Sequence, residues 1–151
     1  MFLNRFAYSK LRMDKREFII SEEVLAEIKS KYPQQGKNSH IGHIAVEIVK
    51  RYFSELYTQP KFTQNKGIDL TVISDTSTEH FEIKGTEDSD ISWSKLFVSG
   101  QPCYDNLIGG VTTLVRVTNV GQRKMTLYFM RYGEHFELVP EVRWKMKKIK
   151  K

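Results

Sequence analysis

The chain contains one cysteine, Cys103. A lone thiol closes no internal disulfide, and no neighbouring cysteine is present to build a thiolate metal cluster. Cys103 therefore reads as a small core or loop residue, the usual place of free cysteine. Long apolar runs are also missing. None approaches the ~18 residues of a membrane span. The opening Met1-Phe2-Leu3-Asn4-Arg5-Phe6 lacks a continuous apolar stretch of signal-peptide length. The expectation is a soluble, cytoplasmic protein with no membrane partner. Neither an internal repeat nor a domain linker is visible.

Acidic residues are absent from positions 143–151, where Arg143, Lys145, Lys147, Lys148, Lys150 and Lys151 stand. The whole chain carries 24 Lys and Arg against 18 Asp and Glu, a net charge of +6. Setting those six aside leaves the body neutral, so the excess lies in a tail. Such a tail suits a phosphate backbone, where each neutralised phosphate releases counterions. The plainer alternative is a solvated end that aids solubility. With 151 residues and 40% hydrophobic composition, the rest has enough core for one domain, 1–142.

Hydrophobic period and punctuation supply the elements. Ser21 before Glu22 and Glu23 caps a helix whose stripe is Val24, Leu25 and Ile28, ending near Lys31 ahead of Pro33. Asn38 or Ser39 can cap a second helix. Its apolar set, Ile41, Ile44, Ala45, Ile48, Val49, Tyr52, Phe53 and Leu56, keeps helical spacing over four turns. Strands follow at 61–64, from Ile68 to Ile73, and around Phe81 and Ile83, with Ser74 to Thr78 as the hairpin loop. Residues 91–107 are ambiguous. Trp93, Leu96 and Phe97 suit a short helix, Gly100 and Pro102 interrupt it, and Trp93 is expected to be buried. Val111 to Val120, Met125 to Arg131 and His135 to Val139 read as further strands, the last stopped by Pro140. Residues 1–16 are too mixed to assign. The class is α/β or α+β, a mixed central sheet flanked by helices.

One stretch carries chemistry. Asp69 stands on one strand, out of phase with Ile68, Leu70 and Val72. Glu82 and Lys84 stand two apart on the next, and so project from one face. If the register brings Asp69 to Glu82, the two carboxylates can share an oxygen-ligated cation such as Mg²⁺. Lys84 would then lie close enough to orient a water or offset charge on a phosphate. His80 projects with them. The plainer alternative is the polar face of an ordinary hairpin.

Gly67-Ile68-Asp69, the hairpin, Glu82-Ile83-Lys84 and the long helix upstream together resemble the PD-(D/E)XK nuclease superfamily, with its restriction-endonuclease-like fold. The resemblance spans Ser39 to Val120. It implies that Asp69 and Glu82 bind Mg²⁺ (or Mn²⁺), that Ile83 offers its backbone carbonyl, and that Lys84 assists the attacking water. It also implies DNA as substrate and a homodimer, since cutting both strands takes two active sites. Many members add a glutamate from the upstream helix. Here that is Glu47, which by helical phase lies toward the solvent side of the stripe.

Lesser candidates remain. His40 and His43 have a spacing zinc ligands use, but no third ligand accompanies them, which favours a capping or surface role. His40 is also a candidate phosphate contact. Ser92, Trp93, Ser94 and Lys95 are candidates for touching a nucleic-acid backbone or base. Gln101 and Tyr104 echo a Gln/Tyr feature of some superfamily members. Two other functions stand beside a nuclease: a non-catalytic nucleic-acid- or protein-binding module on the same fold, and a metal hydrolase acting on another substrate.

Overall fold

A computed structural model describes residues 13–33 and 37–150. The fold is α+β, with a six-stranded mixed sheet and three α-helices among those residues. The strands are β1 (Asp14–Ile19), β2 (Lys61–Asn65), β3 (Ile68–Ile73), β4 (Thr78–Gly85), β5 (Thr112–Thr118) and β6 (Lys124–Met130), in the spatial order β1-β6-β5-β4-β3-β2. Only β4 and β5 run parallel. The helices are α1 (Glu22–Lys31), α2 (Lys37–Leu56) and α3 (Gln101–Ile108).

The caps and stripes act as the sequence indicates. Ser21 accepts a hydrogen bond from Val24 N–H at 3.1 Å and starts α1. The apolar stripe of α2 covers one face of the sheet. Phe53 meets Phe81 with ring centroids 5.0 Å apart, and both rings contact Phe129. This face buries Leu70, Val72, Phe81, Ile83, Val115, Val117 and Leu127 against α1 and α2. A smaller cluster of Leu107, Leu114 and Met130 lies on the other face, beneath α3. Thus every second residue of β3, β4 and β5 points away from α2, into the α3 side. That period places the polar set of the hairpin.

Gly85 closes β4 where α2 crosses it. A Cβ there would stand 2.8 Å from Ala45 Cβ and 3.1 Å from Ile41 Cγ2. The helix therefore approaches the sheet as closely as a hydrogen permits, directly beside Lys84.

Three expectations need correction, and one strand falls where none was assigned. Asn38 and Ser39 lie inside α2, which begins at Lys37. Residues 135–139 form no strand; only an isolated bridge joins Tyr132 and Phe136. Beside β6 lies β1, which pairs with it from Asp14↔Phe129 to Ile19↔Lys124. β1 itself begins in the unassigned segment and runs past it to Ile19, hidden because Asp14-Lys15-Arg16-Glu17 reads as a charge run. At a sheet edge such charges are tolerated and discourage further pairing. Trp93 is 50% exposed rather than buried. From 137 to 150 the chain has no regular secondary structure, and most of these residues are exposed. Lys151 lies outside the described residues, as do positions 1–12 of the stretch left unassigned.

Candidate active site

The β3–β4 hairpin is in register from Ile73↔Thr78 to Leu70↔Phe81. One step further would set Asp69 opposite Glu82, but the ladder stops there. Instead the Asp69 side chain takes over: its Oδ2 accepts a hydrogen bond from Ile83 N–H at 2.8 Å. A carboxylate has replaced a strand as the partner of the β4 backbone. This fixes Asp69 beside Glu82 without either having to reach through solvent.

Glu82 is buried, at 2% exposure. One oxygen, Oε2, pairs with Lys84 Nζ at 3.2 Å. The other, Oε1, is buried and makes no well-formed hydrogen bond, with the Asp69 carboxylate and the Cys103 thiol as the polar neighbours of Glu82. Burial pushes the Glu82 carboxyl above its ordinary range; the Asp69 charge pushes it further, and Lys84 pulls the other way. A buried carboxylate oxygen without a well-formed hydrogen bond is costly. A cation placed between Asp69 and Glu82 would relieve both that cost and the mutual repulsion. Among the described residues, no three His, Cys, Asp or Glu side chains gather as a metal-holding group. The donor set is thus two carboxylates. It fits a hard cation that keeps several waters, as Mg²⁺ does.

Helix α3 roofs this corner. Gly67 has φ +78°, and a Cβ on it would fall 2.8 Å from Pro102 Cβ. Asn106 Nδ2 donates to the Gly67 carbonyl at 2.9 Å. Gly67 therefore serves α3 docking two residues before Asp69. Burial, reinforced by the Glu82 and Asp69 carboxylates, pushes the Cys103 thiol of α3 up. It is a neutral neighbour of the acids. Gln101, on the same helix, donates to Asp105 at 2.8 Å.

Arg116 escaped the sequence reading. It is 2% exposed and pairs with Lys84 in the β4–β5 register. Its guanidinium donates to the carbonyls of Ile91 at 2.8 Å, Gly85 at 3.2 Å and Ser92 at 3.5 Å. The available signal was a single charge inside the β-branched run Thr112-Thr113-Leu114-Val115-Arg116-Val117-Thr118.

The remaining candidates are dispersed. His80 shares a 2.8 Å hydrogen bond with Thr71, one pair further along the same face. His40 Nδ1 is buried without a partner on the first turns of α2, whereas His43 lies against Tyr32 with centroids 5.4 Å apart. Lys95 is tied to Asp88 at 2.8 Å. Arg143 pairs with Glu141 at 3.0 Å, while Lys145, Lys147, Lys148 and Lys150 lie on the exposed tail.

Glu47 is placed elsewhere. Its carboxylate meets Lys31 at 3.1 Å, Tyr32 Oη at 3.2 Å and Arg51 at 3.4 Å. These partners lie on and beside α1 and α2, across the sheet from Glu82. Burial pushes the Glu47 carboxyl up, but the Lys31 hydrogen bond and charge, with Tyr32 and Arg51, more than offset it, so its pKa lies below 4.5. A lowered folded pKa contributes stability above the unfolded value, and that stability is lost as pH falls through the folded one. Glu47→Gln should therefore melt a few degrees lower at pH 7, at about 2–4 °C per kcal/mol for this chain length. The gap should close below pH 4.5, where the wild-type carboxyl protonates too. Parallel melts from pH 3 to 8 check this; a gap that widens in acid would contradict it.

No protein-family model, curated protein or solved structure matches the chain.

Proposed function

We propose that the chain is a Mg²⁺-dependent endonuclease that hydrolyses DNA phosphodiester bonds. The observation that carries this reading is the Asp69–Glu82 pair, in which a backbone-anchored carboxylate stands beside a buried one whose Oε1 makes no well-formed hydrogen bond. Asp69, Glu82 and the Ile83 carbonyl would hold the cation. When bound, it polarises a phosphoryl oxygen and makes water acidic enough to attack at neutral pH.

The protein's own groups do the rest. Asp69 keeps its orientation through Ile83 N–H, so the site is preorganised before any ligand arrives. The Lys84 ammonium, 3.2 Å from Glu82 Oε2, lies where it can donate to the attacking water or to a phosphate oxygen. Neighbouring β-strands restrict both side chains, which lowers the cost of ordering them. The basic tail would track the DNA backbone, and a homodimer would supply the second cut.

Incubating supercoiled plasmid with Mg²⁺ or Mn²⁺ tests the reading. Wild type should nick or linearise it, EDTA should stop the reaction, and Lys84→Ala and Glu82→Ala should be inactive while remaining folded. A wild type that binds plasmid, branched and single-stranded DNA but cuts none of them would favour a binding module instead. Deleting residues 143–151 should flatten the salt dependence of duplex binding, because each phosphate contact contributes about −0.9 to the slope of log K against log salt. An unchanged slope would remove the tail from the interface.

A further inference from the structure

The loop between β4 and α3 holds aromatic side chains outward on a rigid base. Trp93 is 50% exposed and Phe97 45%. Ser92, just before Trp93, sits in the left-handed region at φ 53°. A non-glycine residue stays there only when its surroundings hold it. Its hydroxyl is shared between Asp88 at 2.6 Å and Asp90 at 2.7 Å, and Lys95 closes onto Asp88. Beneath, the buried Arg116 guanidinium grips both Ser92 O and Gly85 O. One side chain thus ties the residue before Trp93 to the residue after Lys84. The tryptophan is presented at the Lys84 end of β4.

The tail reaches the same surface from the far end of the sequence. The Arg143 guanidinium lies over the Phe97 ring, 5.1 Å from its centroid. Two exposed aromatics therefore adjoin the start of a run of cations. Lys95 offsets Asp88 and Arg143 is paired with Glu141 at 3.0 Å, so the excess positive charge lies further along the tail, at Lys145, Lys147, Lys148 and Lys150. Aromatic faces with flanking cations bind single strands, whose bases stack on the rings while the phosphates meet the cations. In an intact duplex the base faces are already taken by their neighbours.

We propose that Trp93, Phe97 and Arg143 dock an unpaired stretch of DNA strand beside the Lys84 site, so that the substrate carries a single-stranded segment next to the bond cleaved. Cleavage of that bond rests on the nuclease reading; the docking does not. The test uses the full chain with Trp144→Phe, which leaves Trp93 as the only tryptophan. Oligothymidylate is titrated in EDTA, alongside a blunt duplex of equal length. Oligothymidylate should quench Trp93 emission saturably and the duplex should not. Phe97→Ala and Arg143→Ala should each weaken oligothymidylate binding by about tenfold, within the range for loss of one stacking partner, with unchanged circular dichroism and melting. Absent quenching, or equal quenching by duplex, overturns the docking surface. Quenching without Mg²⁺-dependent cleavage supports the docking surface and tells against the nuclease reading alone.

Discussion

Replacing Glu82 by glutamine should yield a protein that melts above the wild type in EDTA yet cleaves DNA about a thousandfold more slowly. The two effects share one cause. The folded state holds this carboxyl above its ordinary pKa of 4.5, chiefly because it is buried and then because Asp69 is near. For a raised acid the sign is the reverse of the usual carboxylate case. Ionisation penalises the fold above the folded pKa, and the penalty vanishes below the unfolded one. Glutamine removes it. Lys84, left without its partner, is partly exposed and can turn to water. The gain should be a few degrees at pH 7, since each kcal/mol is worth about 2–4 °C here, and should disappear as pH falls toward 4.5. On the nuclease reading, the activity loss would correspond to several kcal/mol of cation-borne charge stabilisation, at about 1.4 kcal/mol per tenfold. Melting curves and single-turnover cleavage measure the two halves. A variant that is both less stable and fully active would refute the assignment of Glu82.

Asp69 should separate structure from chemistry. Asp69→Asn retains an oxygen for Ile83 N–H, so it should fold with near wild-type melting while losing cleavage. Asp69→Ala strips that partner from a buried backbone donor. An unsatisfied buried donor costs about 1–3 kcal/mol, so this variant should also melt lower, by several degrees. Equal melting of the two variants would mean that the carboxylate does not anchor β4.

The hairpin, its alternation and the long helix were legible because each rests on local period and punctuation. Asp69 and Glu82 could be placed on adjacent strands from Ile68-Leu70-Val72 and Phe81-Ile83 alone. The contact that completes the site, Asp69 to Ile83 N–H, was not visible, because it arises where the ladder ends. Arg116 was hidden for a related reason. Its partners are carbonyls 24 to 31 residues away, one at the end of β4 and two in the irregular loop that follows it. The strand expected at 135–139 is absent, and β1 was missed because edge pairing is a long-range contact that a charge-rich segment does not announce. Helical phase set Glu47 toward solvent, yet it is only 8% exposed; α1 packs over that side of α2 and brings Lys31 and Tyr32 onto its carboxylate, a long-range contact that phase alone does not contain.

Mn²⁺ titration by calorimetry, on wild type, Asp69→Asn and Glu82→Gln, tests most directly whether these two carboxylates form a cation site. Wild type should bind Mn²⁺ saturably and each variant about a hundredfold more weakly, since losing a ligand costs at least as much as losing a group that orients one. Binding of equal strength in all three proteins, or none in the wild type, would contradict a cation site here.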